Sequence, residues 1–128
     1  MLMFQLTAWV TLAALLVYIW TGYNVGKARA VHKVPAPAMD GPIGFQSAMR
    51  VQVNTLEQMA LFLPVLWMCA YFLADRWAAL GGAVWIIGRI LYALGYYKDP
   101  SKREIGFGIT FFASVALMIG TVIGLLTH

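Results

Sequence analysis

The chain has 128 residues, of which 62% are hydrophobic and 11% are charged. Soluble domains average about 45–50% apolar and about 25% charged residues, so this composition excludes a water-soluble enzyme, a disordered chain and a repeat solenoid. The single cysteine excludes a disulfide framework and a multi-cysteine metal site. The net charge of +4 is interpreted as a signal for membrane orientation rather than for nucleic-acid binding. The composition therefore predicts a small all-α integral membrane protein.

Four segments are apolar enough to cross a bilayer, which takes roughly 20 residues. The first, about 3–25, carries no charge before Lys27 and lacks the basic start and cleavage site of a signal peptide, so we expect it to remain as a helix. A basic segment rich in proline follows and predicts a loop. The other helices are predicted at about 45–74, 77–97 and 101–126, and 1–128 is expected to form one four-helix transmembrane domain.

Short polar segments separate the later helices. Asp75 and Arg76 predict a tight turn between helices two and three. Helix four can begin with Asp99 as N-cap and proline at the first helical position, or with a capping box from Ser101 to Glu104. Both alternatives place Arg103 in the first turn of that helix.

The basic residues are distributed unevenly among the predicted loops. Loops one and three carry six of them, whereas loop two carries only Arg76. By the positive-inside rule, loops one and three are expected in the cytoplasm and both termini outside. The six cations are Lys27, Arg29, Lys33, Lys98, Lys102 and Arg103.

Two pairs of glycines are spaced four residues apart, which allows helices to approach closely. They are Gly22 with Gly26 and Gly120 with Gly124. They predict either packing within one bundle or contact between subunits.

Helix two carries a stripe of polar residues, which are costly inside a membrane and therefore indicate function. At 100° per residue, Arg50, Asn54 and Glu57 lie within about 60° of one another and span roughly 10 Å. Gln52 points to nearly the opposite side, towards another helix or another subunit.

Helix three carries a similar stripe at the same cytoplasmic end, formed by Arg89, Tyr92 and Tyr96. The two stripes suggest a single site. One alternative is a structural network in which Glu57 neutralises Arg50 or Arg89, with the tyrosines serving as interface anchors.

The cations around these stripes outnumber the acids, which favours an anionic ligand because arginine binds carboxylates in a bidentate fashion. A ligand with two carboxylates and one ammonium would match Arg29, Arg50, Arg89, Arg103 and the single acid Glu57. His32 and His128 lie outside the predicted spans, so no metal or haem site is expected within the membrane.

Two motifs resemble the superfamily of membrane-associated proteins in eicosanoid and glutathione metabolism (MAPEG). One is the segment from Arg50 to Glu57, RVQVNTLE, after a proline-rich basic loop, and the other is GRILYALGY in helix three. The resemblance covers nearly the whole chain. It implies a homotrimer of four-helix subunits with glutathione bound between neighbours near the cytoplasmic face.

The resemblance also implies a role for each matching residue. Arg103 matches the catalytic arginine that activates the thiol, and Arg89 matches an arginine with a supporting role. Gln52 and Arg29 match positions that reach glutathione from the neighbouring subunit. Five residues match positions that bind glutathione within one subunit, namely Arg50, Asn54, Glu57, Tyr92 and Tyr96.

Ala30 and Gln58 depart from the pattern of the leukotriene C synthases in the family, so the resemblance favours a general glutathione transferase. The expected reaction conjugates glutathione, a co-substrate, to small lipophilic electrophiles from the bilayer, with peroxidase activity as an additional expectation. A non-catalytic lipid-binding scaffold and a small proton-coupled transporter are the alternatives. The expected location is a bacterial inner membrane.

Overall fold

The computed structural model describes residues 2–127 and contains four long α-helices. All four are long and apolar enough to cross a membrane, which confirms the prediction of an all-α membrane protein. A short 3-10 turn, Pro100–Arg103, connects directly to the last helix. The helices are α1 Gln5–His32, α2 Ile43–Phe72, α3 Asp75–Lys98 and α4 Glu104–Leu126.

Helix α1 extends about two turns beyond its predicted end, so Lys27, Arg29 and His32 are helical rather than part of loop one. The helix stops at Lys33, which has a left-handed backbone with φ 57° and donates its N–H to the Arg29 carbonyl. Nothing before Pro35 prevents helix formation, and cations near a helix C-terminus interact favourably with the helix dipole. The predicted loop therefore began too early.

The turn between α2 and α3 also differs from the prediction. Asp75 and Arg76 belong to the first turn of α3, and the chain reverses at Leu73 and Ala74. The carboxylate of Asp75 explains this placement, because it accepts hydrogen bonds from α1. The Leu6 and Thr7 N–H groups donate to it at 3.1 and 2.8 Å, and the Thr7 hydroxyl donates at 2.6 Å.

Asp75 thus supplies α1 with an N-terminal cap from another helix. Phe4, the residue before α1, makes no side-chain hydrogen bond to the helix end. The first N–H groups of a helix have no partner within the helix and need an acceptor elsewhere. The contact places the N-termini of α1 and α3 at the same end of the bundle, so these two helices run in the same direction.

We expect Asp75→Ala to lower the free energy of unfolding by about 1–2 kcal/mol, the usual effect of losing a helix cap. Asp40→Ala is the matched control, because Asp40 is exposed and, within residues 2–127, accepts a hydrogen bond only from the Gln46 side chain. Unfolding by a denaturing detergent, followed by circular dichroism, measures both variants. Equal stability of the two variants would contradict the capping role.

The centre of the bundle is a compact aromatic and aliphatic core. The rings of Phe62 on α2 and Trp85 on α3 stack with centroids 4.1 Å apart and planes 6° apart. Leu66, Ala14 and Leu117 complete this core, so all four helices contribute to it. The core lies between the Asp75 cap and the polar end of the bundle.

Most of the predicted glycine contacts are made within the bundle. Gly120 lies against the Cys69 side chain and Gly124 against the Phe72 backbone. A Cβ at Gly22 would lie 3.2 Å from Gln52 Nε2, whereas a Cβ at Gly26 would meet nothing within 4 Å. Three of these four glycines therefore make the predicted contacts within one bundle, and Gly26 does not.

A close backbone contact between α3 and α4 uses two other glycines, Gly88 and Gly106. A Cβ at Gly88 would lie 2.8 Å from the Thr110 backbone nitrogen, and one at Gly106 would collide with the backbone of Tyr92. This mutual close approach holds the start of α4 directly against α3. It places the 3-10 turn beside the tyrosines of α3.

Candidate functional site

An open groove of about 600 Å³ lies between α2, α3 and the 3-10 turn. It brings together six of the residues predicted from the two stripes and the start of helix four. Its walls are formed by Ile43, Gln46, Ser47, Arg50, Val53, Asn54, Glu57, Tyr92, Tyr96, Pro100 and Arg103.

The α2 wall carries Arg50, Asn54 and Glu57 in the predicted order and on one face. Arg50 and Glu57 are both exposed, because the groove is open on this side. Within residues 2–127, neither side chain forms a hydrogen bond or an ion pair. The alternative in which Glu57 neutralises Arg50 or Arg89 is therefore not found within residues 2–127 of the single chain.

Arg89 lies beneath the groove rather than in its wall. Only 1% of its surface is exposed, and its guanidinium donates to Asn54 Oδ1 at 3.0 Å and to Thr55 Oγ1 at 2.8 Å. The Thr55 hydroxyl donates to the Val51 carbonyl at 2.7 Å, which leaves its lone pairs for Arg89. The guanidinium also lies over the Tyr92 ring, 4.2 Å from the centroid. A structural network thus exists here, but an amide and a hydroxyl build it instead of Glu57.

This network sets the direction of the Asn54 amide. A guanidinium has five N–H donors and no acceptor, so only the amide oxygen can face Arg89. The Asn54 nitrogen is then left as the hydrogen-bond donor towards the groove. Asn54 therefore favours a carboxylate or carbonyl oxygen as its partner there.

The opposite wall contains Tyr92, Tyr96 and Arg103. The two tyrosine rings are 5.6 Å apart, and the Arg103 guanidinium lies 5.8 Å from the centroid of Tyr96. Arg103 is exposed and donates to the Pro100 carbonyl at 2.7 Å. Its free donors can therefore serve a ligand in the groove.

The 3-10 turn positions Arg103. The Ser101 backbone N–H donates to Asp99 Oδ1 at 3.0 Å and holds the pKa of this carboxyl below its usual value. Of the two predicted starts of helix four, the structure therefore has the one with Asp99 as N-cap and Pro100 as first residue, and not the capping box from Ser101 to Glu104. Arg103 is the last residue of the turn, immediately before α4, and not part of the first α-helical turn.

Arg29 and Gln52 do not line the groove. Arg29 donates to the Ala38 carbonyl at 2.8 Å, and its guanidinium lies 5.0 Å from the Phe45 ring centroid. Gln52 points to α1, where it lies beside Gly22. Gln52 was predicted to point towards another helix or towards another subunit. In the single chain it points towards another helix, α1.

Gln46 and Ser47 line the groove although the sequence analysis did not identify them. Both belong to the first two turns of α2, which begins at Ile43, two residues before its predicted start. Residues 43, 47, 50, 54 and 57 follow the spacing of three and four that defines one helix face. Extending the stripe by one turn would have included Ser47.

Comparisons with known proteins define the class of this membrane protein. A model described as the MAPEG family matches residues 7–123. The chain is 44% identical over 119 residues to an uncharacterized protein of Synechocystis sp., a match that covers 93% of this chain and 87% of that protein. It therefore belongs to the MAPEG family, as the motifs in α2 and α3 predict.

Two relatives with named activities match at lower identity. The chain is 34% identical over 102 residues to microsomal glutathione S-transferase 2 of Mus musculus, covering 80% of this chain and 69% of that protein. It is 33% identical over 123 residues to leukotriene C4 synthase of Cavia porcellus, covering 96% of this chain and 82% of that protein.

The network beneath the groove leads to a stability prediction. Asn54→Ala should destabilise the protein more than Arg89→Met, because it removes an acceptor from a buried cation. Leaving a neutral buried group unsatisfied costs about 1–3 kcal/mol, and a charged group costs more. Asn24→Ala is the matched control, since Asn24 Nδ2 donates to the neutral Tyr97 hydroxyl at 3.1 Å. Asn54→Ala should lose more free energy of unfolding than either Arg89→Met or Asn24→Ala. Unfolding in a denaturing detergent measures all three variants, and a loss for Asn54→Ala no larger than that of either other variant would contradict the prediction.

Proposed function

We propose that this protein is a membrane-bound glutathione transferase that joins the thiol of glutathione to small lipophilic electrophiles from the bilayer. A detoxifying role and glutathione peroxidase activity on lipophilic peroxides belong to the same proposal. The observation that carries it is the groove, which combines two arginines, two tyrosines and the Asn54 amide with one carboxylate. The names of the mouse and guinea pig relatives support the same chemistry.

Glutathione has two carboxylates, one ammonium and one thiol, which matches the charges of the groove. Arg50 and the Asn54 nitrogen offer donors to carboxylates, and Glu57 offers the acceptor for the ammonium. Tyr92 and Tyr96 add hydroxyl groups on the opposite wall. Charge-assisted hydrogen bonds of this kind are about twice as strong as neutral ones, which favours a charged peptide over a neutral ligand.

Arg103 is the group proposed to activate the thiol. A free thiol has a pKa of about 8.5, and the thiolate is the nucleophile. Lowering the pKa by two units takes about 2.7 kcal/mol of preferential stabilisation of the thiolate. Arg103 stands at the N-terminus of α4, where the helix dipole also favours an anion.

In the proposed reaction the thiol proton leaves to water at the open mouth of the groove. The thiolate sulfur then attacks the electrophilic carbon, and the new C–S bond forms as the leaving group departs with its electron pair. For an electrophile that adds instead of substituting, the same attack is followed by protonation of the adduct.

Arg103→Ala separates activation from binding. We expect glutathione to bind with little change, because Arg50, Asn54 and Glu57 remain. The ultraviolet absorbance of the thiolate and the rate of conjugation to chlorodinitrobenzene should both fall more than tenfold, since about 1.4 kcal/mol corresponds to a factor of ten. Lys102→Ala, which removes the neighbouring exposed cation, is the matched control and should leave both readouts unchanged. Full thiolate absorbance and turnover in Arg103→Ala would reduce Arg103 to a charge that only fixes topology. Absence of turnover in the wild-type chain, in contrast, would favour a non-catalytic lipid-binding role.

Glu57→Gln tests the binding half of the proposal. It removes the only carboxylate among the described residues that line the groove, so glutathione should bind roughly ten- to a hundredfold more weakly. Isothermal titration in detergent measures this change. Unchanged affinity in a correctly folded variant would remove Glu57 from the site.

We also propose a homotrimer in which Arg29 and Gln52 reach the groove of a neighbouring subunit, with loops one and three in the cytoplasm of a bacterial cell. Both side chains are only partly buried and lie outside the groove of their own chain. The exposure of Glu57 and Arg50 likewise leaves one side of the groove uncovered in the single chain. Native mass spectrometry in mild detergent should show a trimer. A folded monomer that still binds glutathione would overturn the intersubunit site.

A further inference from the structure

The Ser47 hydroxyl differs from most threonine hydroxyls of the helices. Ser47 is only 5% exposed and lines the groove, yet within residues 2–127 its hydroxyl has no hydrogen-bond partner. A helical hydroxyl can ordinarily donate to the carbonyl four residues earlier. Five threonines do so here, namely Thr11, Thr55, Thr110, Thr121 and Thr127.

Ser47 Oγ is not among the fully buried unpaired atoms of the described residues, so it is accessible from the groove and can find its missing partner in a ligand bound there. The neighbouring Gln46 side chain does not bond to the Ser47 hydroxyl. Its amide nitrogen donates instead to Asp40 Oδ1 and to the Gly41 carbonyl, both at 3.2 Å. These bonds hold the Gln46 side chain towards loop one. Ser47 is left facing the groove.

The surroundings of Ser47 favour an anion. Ser47 lies near the N-terminus of α2, a helix of 30 residues whose first turn receives no side-chain cap. Uncapped N–H groups and the positive end of the helix dipole attract negative charge. Arg50 follows three residues later on the same face and lines the same groove, and its guanidinium has no partner among the described residues.

We propose that Ser47 and Arg50, at the first turns of α2, form a carboxylate subsite of the groove. The Ser47 hydroxyl and the Arg50 guanidinium each donate to one carboxylate of the bound ligand. This subsite rests on the proposed function, in which that ligand is glutathione, and adds Ser47 as a residue that determines specificity for a carboxylate.

The test compares Ser47→Ala with Ser114→Ala. Ser114 is the matched control, because its buried hydroxyl also lacks a partner in the described part of the chain but lies on α4 outside the groove. Isothermal titration of the detergent-solubilised protein should show glutathione binding about tenfold more weakly to Ser47→Ala and unchanged for Ser114→Ala. Thermal unfolding of both variants checks that the bundle is intact.

Glutathione diethyl ester, in which both carboxylates are masked, identifies the group that Ser47 contacts. Ser47→Ala and the wild-type chain should bind the diester equally. An equal loss for glutathione and the diester, or no loss for glutathione, would overturn the subsite. If the wild-type chain fails to bind glutathione, the proposed function itself fails; if Glu57→Gln weakens binding and Ser47→Ala does not, only the subsite is wrong.

Discussion

The buried guanidinium of Arg89 is the constraint on which the polar end of the bundle depends. A charge inside a low-dielectric interior is costly unless hydrogen bonds compensate it, and no carboxylate performs this role in residues 2–127. Asn54 and Thr55 must therefore lie opposite Arg89, which fixes the register between α2 and α3. The same contact turns the Asn54 nitrogen towards the groove and seats the guanidinium against Tyr92.

The lengths of the helices allow the groove to lie at the boundary of a membrane. Helix α2 has 30 residues and is about 45 Å long at 1.5 Å per residue, whereas the hydrocarbon core is about 30 Å thick. Its polar first turns can therefore stand in the interface while Glu57, about 15 Å further along from Ser47, reaches into the hydrocarbon. A groove of this depth can receive a charged peptide from water and an apolar co-substrate from the lipid.

The helical periodicity of the sequence was enough to predict which side chains of α2 line the groove together. Arg50, Asn54 and Glu57 share a face because a helix turns by 100° per residue, whatever the rest of the chain does. The partners of Arg89 could not be read in this way, since they depend on the rotation of α2 against α3. The close approach of α3 and α4 could not be predicted from the sequence, because Gly88 and Gly106 do not form a spaced glycine pair and each contacts the neighbouring helix only in the packed bundle. The burial of Ser47 could likewise not be predicted, because it depends on how the helices pack and on α2 beginning at Ile43.

The Asp75 cap has a consequence for how the chain enters the membrane. The acceptor for the first N–H groups of α1 lies 68 positions downstream of Thr7, at the beginning of α3. While the ribosome has delivered only α1 and α2, those N–H groups must find water or lipid headgroups instead. α1 can therefore gain this cap only after the start of α3 has been synthesised, so the stability of the first helix depends on the third.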